Sequence, residues 1–306
     1  MDEQTTARRH KGTGSETGAE TGPEAAARTE AKAGAGSGAG TGAGTGTRTR
    51  TRTGTGAGAG GGGGAGGVYG ATALVLIASG LLHLVVFAVD GGPWNGPVSW
   101  RKPVTFGLSF GVTLRAVVGV TSFLRMSPRV RTALLGVFAA DCVVEVGGIT
   151  LQAWRRVPSH LDMETPFDTA VSMTLAVGGG VLVALLTVFA VASFRHRPTG
   201  PAGMALAVRS GFAILLVALV SGAAMIARGV VLTRTGHQEA AYGSTAPLKP
   251  LHGVSLHAVL VLPALAWLMS SRTAWNERVR WRITAAAVGC YAAAVVAAGV
   301  WAVLTY

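Results

Sequence analysis

Apolar residues dominate this chain from Val68 onward in seven blocks of about twenty, separated by short polar stretches. The blocks cover 68–90, 104–124, 132–152, 170–193, 211–232, 251–271 and 283–305. At 1.5 Å rise per residue, about 20 helical residues cross a hydrocarbon core about 30 Å thick. The pattern therefore predicts an all-α polytopic membrane bundle of seven transmembrane helices. Local signals agree with these boundaries. Ser127-Pro128 reads as an N-cap with proline at the first helical position, and Thr165-Pro166-Phe167-Asp168 has the form of a capping box. Pro103 and Pro250 mark two more helix starts, and Pro263 marks a kink.

Residues 1–67 form a separate region. Its first half mixes Glu, Arg, Thr and Ala without an apolar period. Its second half is almost wholly Gly, Ala and Thr, with Arg48, Arg50 and Arg52 alternating with Thr. Such a segment buries too little apolar surface to offset its ordering entropy, so disorder is expected. No apolar block precedes Val68, so the tail does not read as a signal peptide.

Composition supports the membrane reading. The 306 residues are 49% hydrophobic and only 13% charged, with mean hydropathy +0.45. Soluble domains carry about 25% charged residues. The net charge of +12 does not imply nucleic-acid binding, because the cations lie in short runs between apolar blocks. Cys142 and Cys290 both fall inside predicted spans, without metal-ligand spacing, and suggest neither a disulfide framework nor a zinc knuckle.

With the N-terminus inside, the inner segments carry thirteen Lys and Arg near the spans and the outer ones seven. This bias predicts an N-in, C-out protein of the cell membrane with a cytoplasmic tail. The inner loops are then short and basic. The outer loops, 91–103, 155–168 and 233–253, are longer and carry Trp, His, Asp and Glu. Trp94, Trp100 and Trp154 near span ends fit an aromatic belt, and Arg155 and Arg156 fit head-group contacts or an anion site.

Ionisable residues inside the apolar blocks are the candidate chemistry, since such residues are costly in hydrocarbon. Asp141, Glu145, Gly148 and Gln152 share one face of the third span. Arg115 in span two lies at a depth similar to Asp141, which predicts a buried ion pair that fixes the two helices. His83, Glu145 and His257 all fall roughly 10 Å below the outer helix ends. Two imidazoles and a carboxylate at one depth could hold a divalent metal with an open position for water. The alternative is that each histidine hydrogen-bonds locally. Lys102, His160 and Arg228 complete the candidate pocket, and Gly178-Gly179-Gly180 allows close helix approach.

Several functions fit these residues. The first is an outward-facing polar pocket that binds or moves a small molecule or ion. No inverted repeat is visible, which weakens the transporter version. The second is a membrane-embedded metal-dependent hydrolase with Asp162 as base. The third is a redox protein with haem between His83 and His257. The fourth is an envelope scaffold whose buried polar groups only specify packing. A lipid bilayer is the one partner common to all four, and oligomeric state is left open.

The stretches KPVTFGLSFGVT, LQAWRRVPSHLDMETPFD and LHGVSLHAVLVLPALAW, in this order over residues 102–267, resemble a family of bacterial multi-pass membrane proteins. Members carry KP-x-x-F-x-x-S, QA-x-R-G-x-x-SHFN-x-x-TPFD and GLHALQ-x-LP. This chain departs where Arg156 replaces Gly, Leu161-Asp162 replaces Phe-Asn and Val259 replaces Gln. The resemblance implies a shared fold and brings no activity with it.

Overall fold

Hydrocarbon offers no hydrogen-bond partner to a peptide group, so a segment crossing it must satisfy its own backbone. The apolar blocks accordingly form helices. The structure, a computed structural model, describes residues 63–272 and 274–305. These lie in the unit Ala57–Tyr306. Most of the expected disordered tail, with Arg48, Arg50 and Arg52, lies outside the described residues. The helices are α1 Gly63–Asp90, α2 Arg101–Thr121, α3 Pro128–Trp154, α4 Pro166–Arg195, α5 Met204–Arg234, α6 Gln238–Gly243, α7 Lys249–Ser270 and α8 Glu277–Thr305. There is no strand among the described residues. All except the short α6 are long and apolar enough to span a membrane, which makes this an all-α seven-span protein. The α6 turn was not anticipated from the hydrophobic pattern, being too short to show a period.

The start signals act as read. The Ser127 hydroxyl accepts from the Val130 amide at 3.3 Å, and the Thr165 hydroxyl from the Asp168 amide at 3.1 Å. Pro250 opens α7 and Pro263 lies within it. Helix α1 begins at Gly63, five residues before the predicted boundary at Val68.

Helices α2, α3, α4, α5 and α7 are successive neighbours, and α7 returns to α2, so the five close into a ring. Helix α1 packs outside on α2 and α3, and α8 on α7 and α5. Phe138, Phe189, Phe212, Leu114, Leu215 and Leu262 fill the buried centre. The outward faces are apolar: Val89 is 84% exposed and Leu304 79%. That inversion of the soluble pattern requires lipid around it.

Small residues set the α1–α2 crossing. A methyl at Gly80 would lie 2.8 Å from the Leu108 amide nitrogen, and one at Gly107 2.8 Å from the Gly80 Cα. The two backbones therefore touch directly.

One end of the bundle, formed by the short loops 122–127, 196–203 and 271–276, uses arginine in a repeated way. Arg131 of α3 donates to the Val118 carbonyl of α2 at 2.6 Å, and to the Thr121 hydroxyl at 3.1 Å. Arg209 of α5 donates to the Ser193 carbonyl of α4 at 3.0 Å, and Arg280 of α8 to the Ser270 carbonyl of α7 at 3.3 Å. Each guanidinium takes a carbonyl that the preceding helix leaves over at its C-terminus, where positive charge is also favoured by the helix dipole.

Gly107→Leu is expected to force α1 from α2 and lower stability by about 1–3 kcal/mol, the usual range for overpacking. Gly119→Ala, where a methyl meets nothing within 4 Å, is the control expected to stay within about 0.5 kcal/mol. Thermal unfolding of detergent-solubilised protein measures both.

Candidate functional site at the polar end

The opposite end gathers the polar sequence motifs. It is formed by the C-termini of α1, α3 and α5, the N-termini of α2, α4 and α7, and the loops 91–100, 155–165 and 235–248. The loop 155–165 is its organiser. Arg156 and Leu161 adopt φ of 61° and 65°, the left-handed region that favours glycine. Glycine is the residue that the family resemblance leads one to expect at 156. What holds this backbone is a set of tertiary bonds on every side.

On the α1–α3 side, the Asp90 carboxylate accepts from Trp100 Nε1 at 2.8 Å and from Arg156 at 2.7 Å. The Arg156 guanidinium lies 5.2 Å from the Trp100 ring centre. Trp100 is buried rather than placed in an aromatic belt, because its N–H has found a carboxylate. At the α3–α4 junction, Asp168 pairs with Arg155, accepts from Gln152 Nε2 at 2.9 Å and is bonded to the Thr165 hydroxyl. Arg155 also lies 4.6 Å from the Phe167 ring centre. Both arginines thus satisfy carboxylates of the protein. On the α5–α6 side, Gln238 Nε2 donates to the Leu161 carbonyl at 2.6 Å and to the Tyr242 hydroxyl at 2.7 Å.

A third group joins α2 to this loop. Lys102 Nζ donates to the Pro97 carbonyl at 2.7 Å and to Ser159 Oγ at 3.3 Å. Ser159 Oγ in turn is hydrogen-bonded with His160 Nδ1 at 2.9 Å. The His160 ring lies 6.1 Å from Phe106. Burial first, and the Lys102 charge second, hold His160 down at about 4, against an ordinary value near 6.5.

The predicted metal triad is not assembled. His83 Nδ1 bonds the Ser79 carbonyl at 2.7 Å, and its Nε2 accepts from Trp154 Nε1 at 3.0 Å. Both ring nitrogens are used, so neither has a lone pair left for a metal or a haem iron. Trp100 and Trp154 enclose the ring. Glu145 faces Gly178 of α4 instead. His257 is exposed, with Nδ1 bonded to the Gly253 carbonyl at 2.5 Å. Among the described residues no group of three or more His, Cys, Asp and Glu could hold a metal ion. Equal depth was insufficient: the three side chains point to different neighbours.

The Arg115–Asp141 pair is likewise absent among the described ion pairs. Arg115 is exposed, whereas Asp141 is buried with Oδ2 lacking a hydrogen-bond partner. Arg115 lies about 120° around α2 from its polar stripe, and its length does not bridge that angle. Arg228 is exposed on α5, beside the Gly229 that receives Leu161. A recess of about 500 Å³ lies at the other end, lined by Arg197, Glu277, Arg278 and Trp281 among others.

Sequence reasoning put Asp90 and Lys249 at this end without giving them a role in the site, and did not single out Ser159 or Gln238. Lys249 had a visible signal: Lys102-Pro103 and Lys249-Pro250 open α2 and α7 alike. No family model, curated protein or solved structure matches this chain.

Two outcomes are expected here. In the unfolded chain His160 takes up a proton as the pH falls through about 6.5, while in the folded protein it resists until about 4. The unfolded state therefore binds more protons in that window, and the stability from this group is full above it and declines as the pH falls. The unfolding temperature should drop on acidification from neutral to about pH 5, and His160→Gln should flatten that slope; parallel profiles would refute the assignment. Arg155→Ala leaves the buried Asp168 short of a donor and is expected to cost roughly 1–3 kcal/mol, read by thermal unfolding.

Proposed function

We propose that this chain is a multi-pass protein of the cell membrane, with its N-terminal tail in the cytoplasm, whose polar end binds a small anionic group. The observation that carries this reading is a set of cations without acids. Arg101 and Lys249 act electrostatically on Lys102, and Arg101 on Lys249. None of the three takes part in either ion pair of the described residues. Arg101 Nε is buried without a hydrogen-bond partner. Helices α2 and α7 both begin here, and the positive ends of their dipoles add to the potential. An anion at this place would take up donors that the protein leaves over.

Membership in the bacterial multi-pass family belongs to the same proposal. Residues from different motif stretches contact one another: Lys102 with Ser159, Phe106 with His160. These contacts give the motifs a joint role in shaping the anion site. The cytoplasmic tail rests on the excess of arginine at the opposite end.

A lipid phosphate and a soluble phosphate share the chemistry that Arg101, Lys102 and Lys249 recognise. Native mass spectrometry of the purified protein with phosphatidylglycerol, and calorimetry with inorganic phosphate, separate the two sources. At least one is expected to bind, and Arg101→Gln/Lys102→Gln to weaken it about tenfold or more, equivalent to 1.4 kcal/mol. Arg197→Gln at the other end should leave it unchanged. Binding of neither probe, or equal loss in both variants, would overturn the reading.

A further inference from the structure

Asp141 and Glu145 lie one turn apart on α3, and both are buried, at 9% and 3% exposure. Asp141 Oδ2 and Glu145 Oε1 each lack a hydrogen-bond partner. They also converge. A methyl group placed on Gly178 of α4 would lie 2.9 Å from Asp141 Oδ1 and closer still to Glu145 Oε1. The two carboxylates therefore meet the same small area of α4, and only the absence of a side chain at 178 makes room for them.

Among the described residues, neither carboxylate takes part in an ion pair. Helix α4 contributes no titratable group between Asp168 and Arg195. On α2, Arg115 is exposed and Lys102 is bonded at the polar end. On α1, Tyr69 donates to the Thr132 carbonyl, His83 has both nitrogens used, and Asp90 holds Trp100 and Arg156. On α3 itself, Cys142 is a buried thiol between the pair. Two like charges at one dry site cannot both remain ionised without a partner. A carboxylic acid beside a carboxylate can instead share one proton, donating from the first to the second, and that would engage Glu145 Oε1, now left without a partner.

We propose that Asp141 and Glu145 hold one proton between them, forming a proton-binding site between α3 and α4 inside the membrane region. It lies about 16 Å along α3 from Gln152, taking 1.5 Å per residue from Asp141, and is independent of the anion site at the polar end. Loading the site removes a negative charge from the α3–α4 contact, so proton occupancy and the approach of these helices are coupled.

Infrared spectroscopy of the full chain in nanodiscs tests this. At neutral pH the wild type should show a protonated carboxyl C=O band that shifts in D₂O. Asp141→Asn/Glu145→Gln should abolish it while circular dichroism stays helical. Gly178→Ala should move the band, because its methyl occupies the place where the oxygens meet, and this variant serves if the double one does not fold. Absence of the band in wild type, its persistence in the double variant, or no movement in Gly178→Ala would each overturn the proposal. Loss of the band on replacing choline chloride by sodium chloride would mean that a sodium ion, rather than a proton, is held, and would overturn it too.

Discussion

A polar group inside hydrocarbon must find its partner within the protein, and this constraint orders the molecule. It makes the apolar blocks helical, and it decides what happens where helices stop. At the basic end, leftover carbonyls receive arginine from the following helix. At the polar end, the junction of α3 and α4 is closed by Asp168, which gathers Arg155, Gln152 and Thr165 around one carboxylate. The left-handed residues Arg156 and Leu161 are tolerable in this setting, because the loop carrying them is fixed from α1, α2 and α5 together.

The architecture was legible because its signal is long. Seven blocks of about twenty apolar residues have no other economical solution in a bilayer. The caps at Ser127 and Thr165 were legible because a side chain reaching an amide three residues on is a local matter. The buried contacts were not. Depth along a helix can be counted, but direction around it must meet a neighbour whose rotation is unknown. His83, Glu145 and His257 were level and still diverged; Arg115 and Asp141 were level and still missed. Conversely, Lys102 and Ser159 are 57 residues apart and meet at 3.3 Å, which no periodicity announces.

Two charge imbalances remain at opposite depths. Near the polar end, Arg101, Lys102 and Lys249 are cations without acids; deeper in, Asp141 and Glu145 are acids without cations. Both differ from Asp90 and Asp168, whose arginines are in place. Asp90 and Asp168 are matched within the chain, and the two proposed sites lie where the described residues offer no such match.

The arginines at the basic end also bear on how the chain is made. Each joins two helices adjacent in sequence: α2 with α3, α4 with α5, α7 with α8. The bend between them is therefore sealed by residues that leave the ribosome within one short interval. Three helical hairpins can enter the bilayer as finished pairs, and the closing of the five-helix ring is left as a later meeting of preformed units.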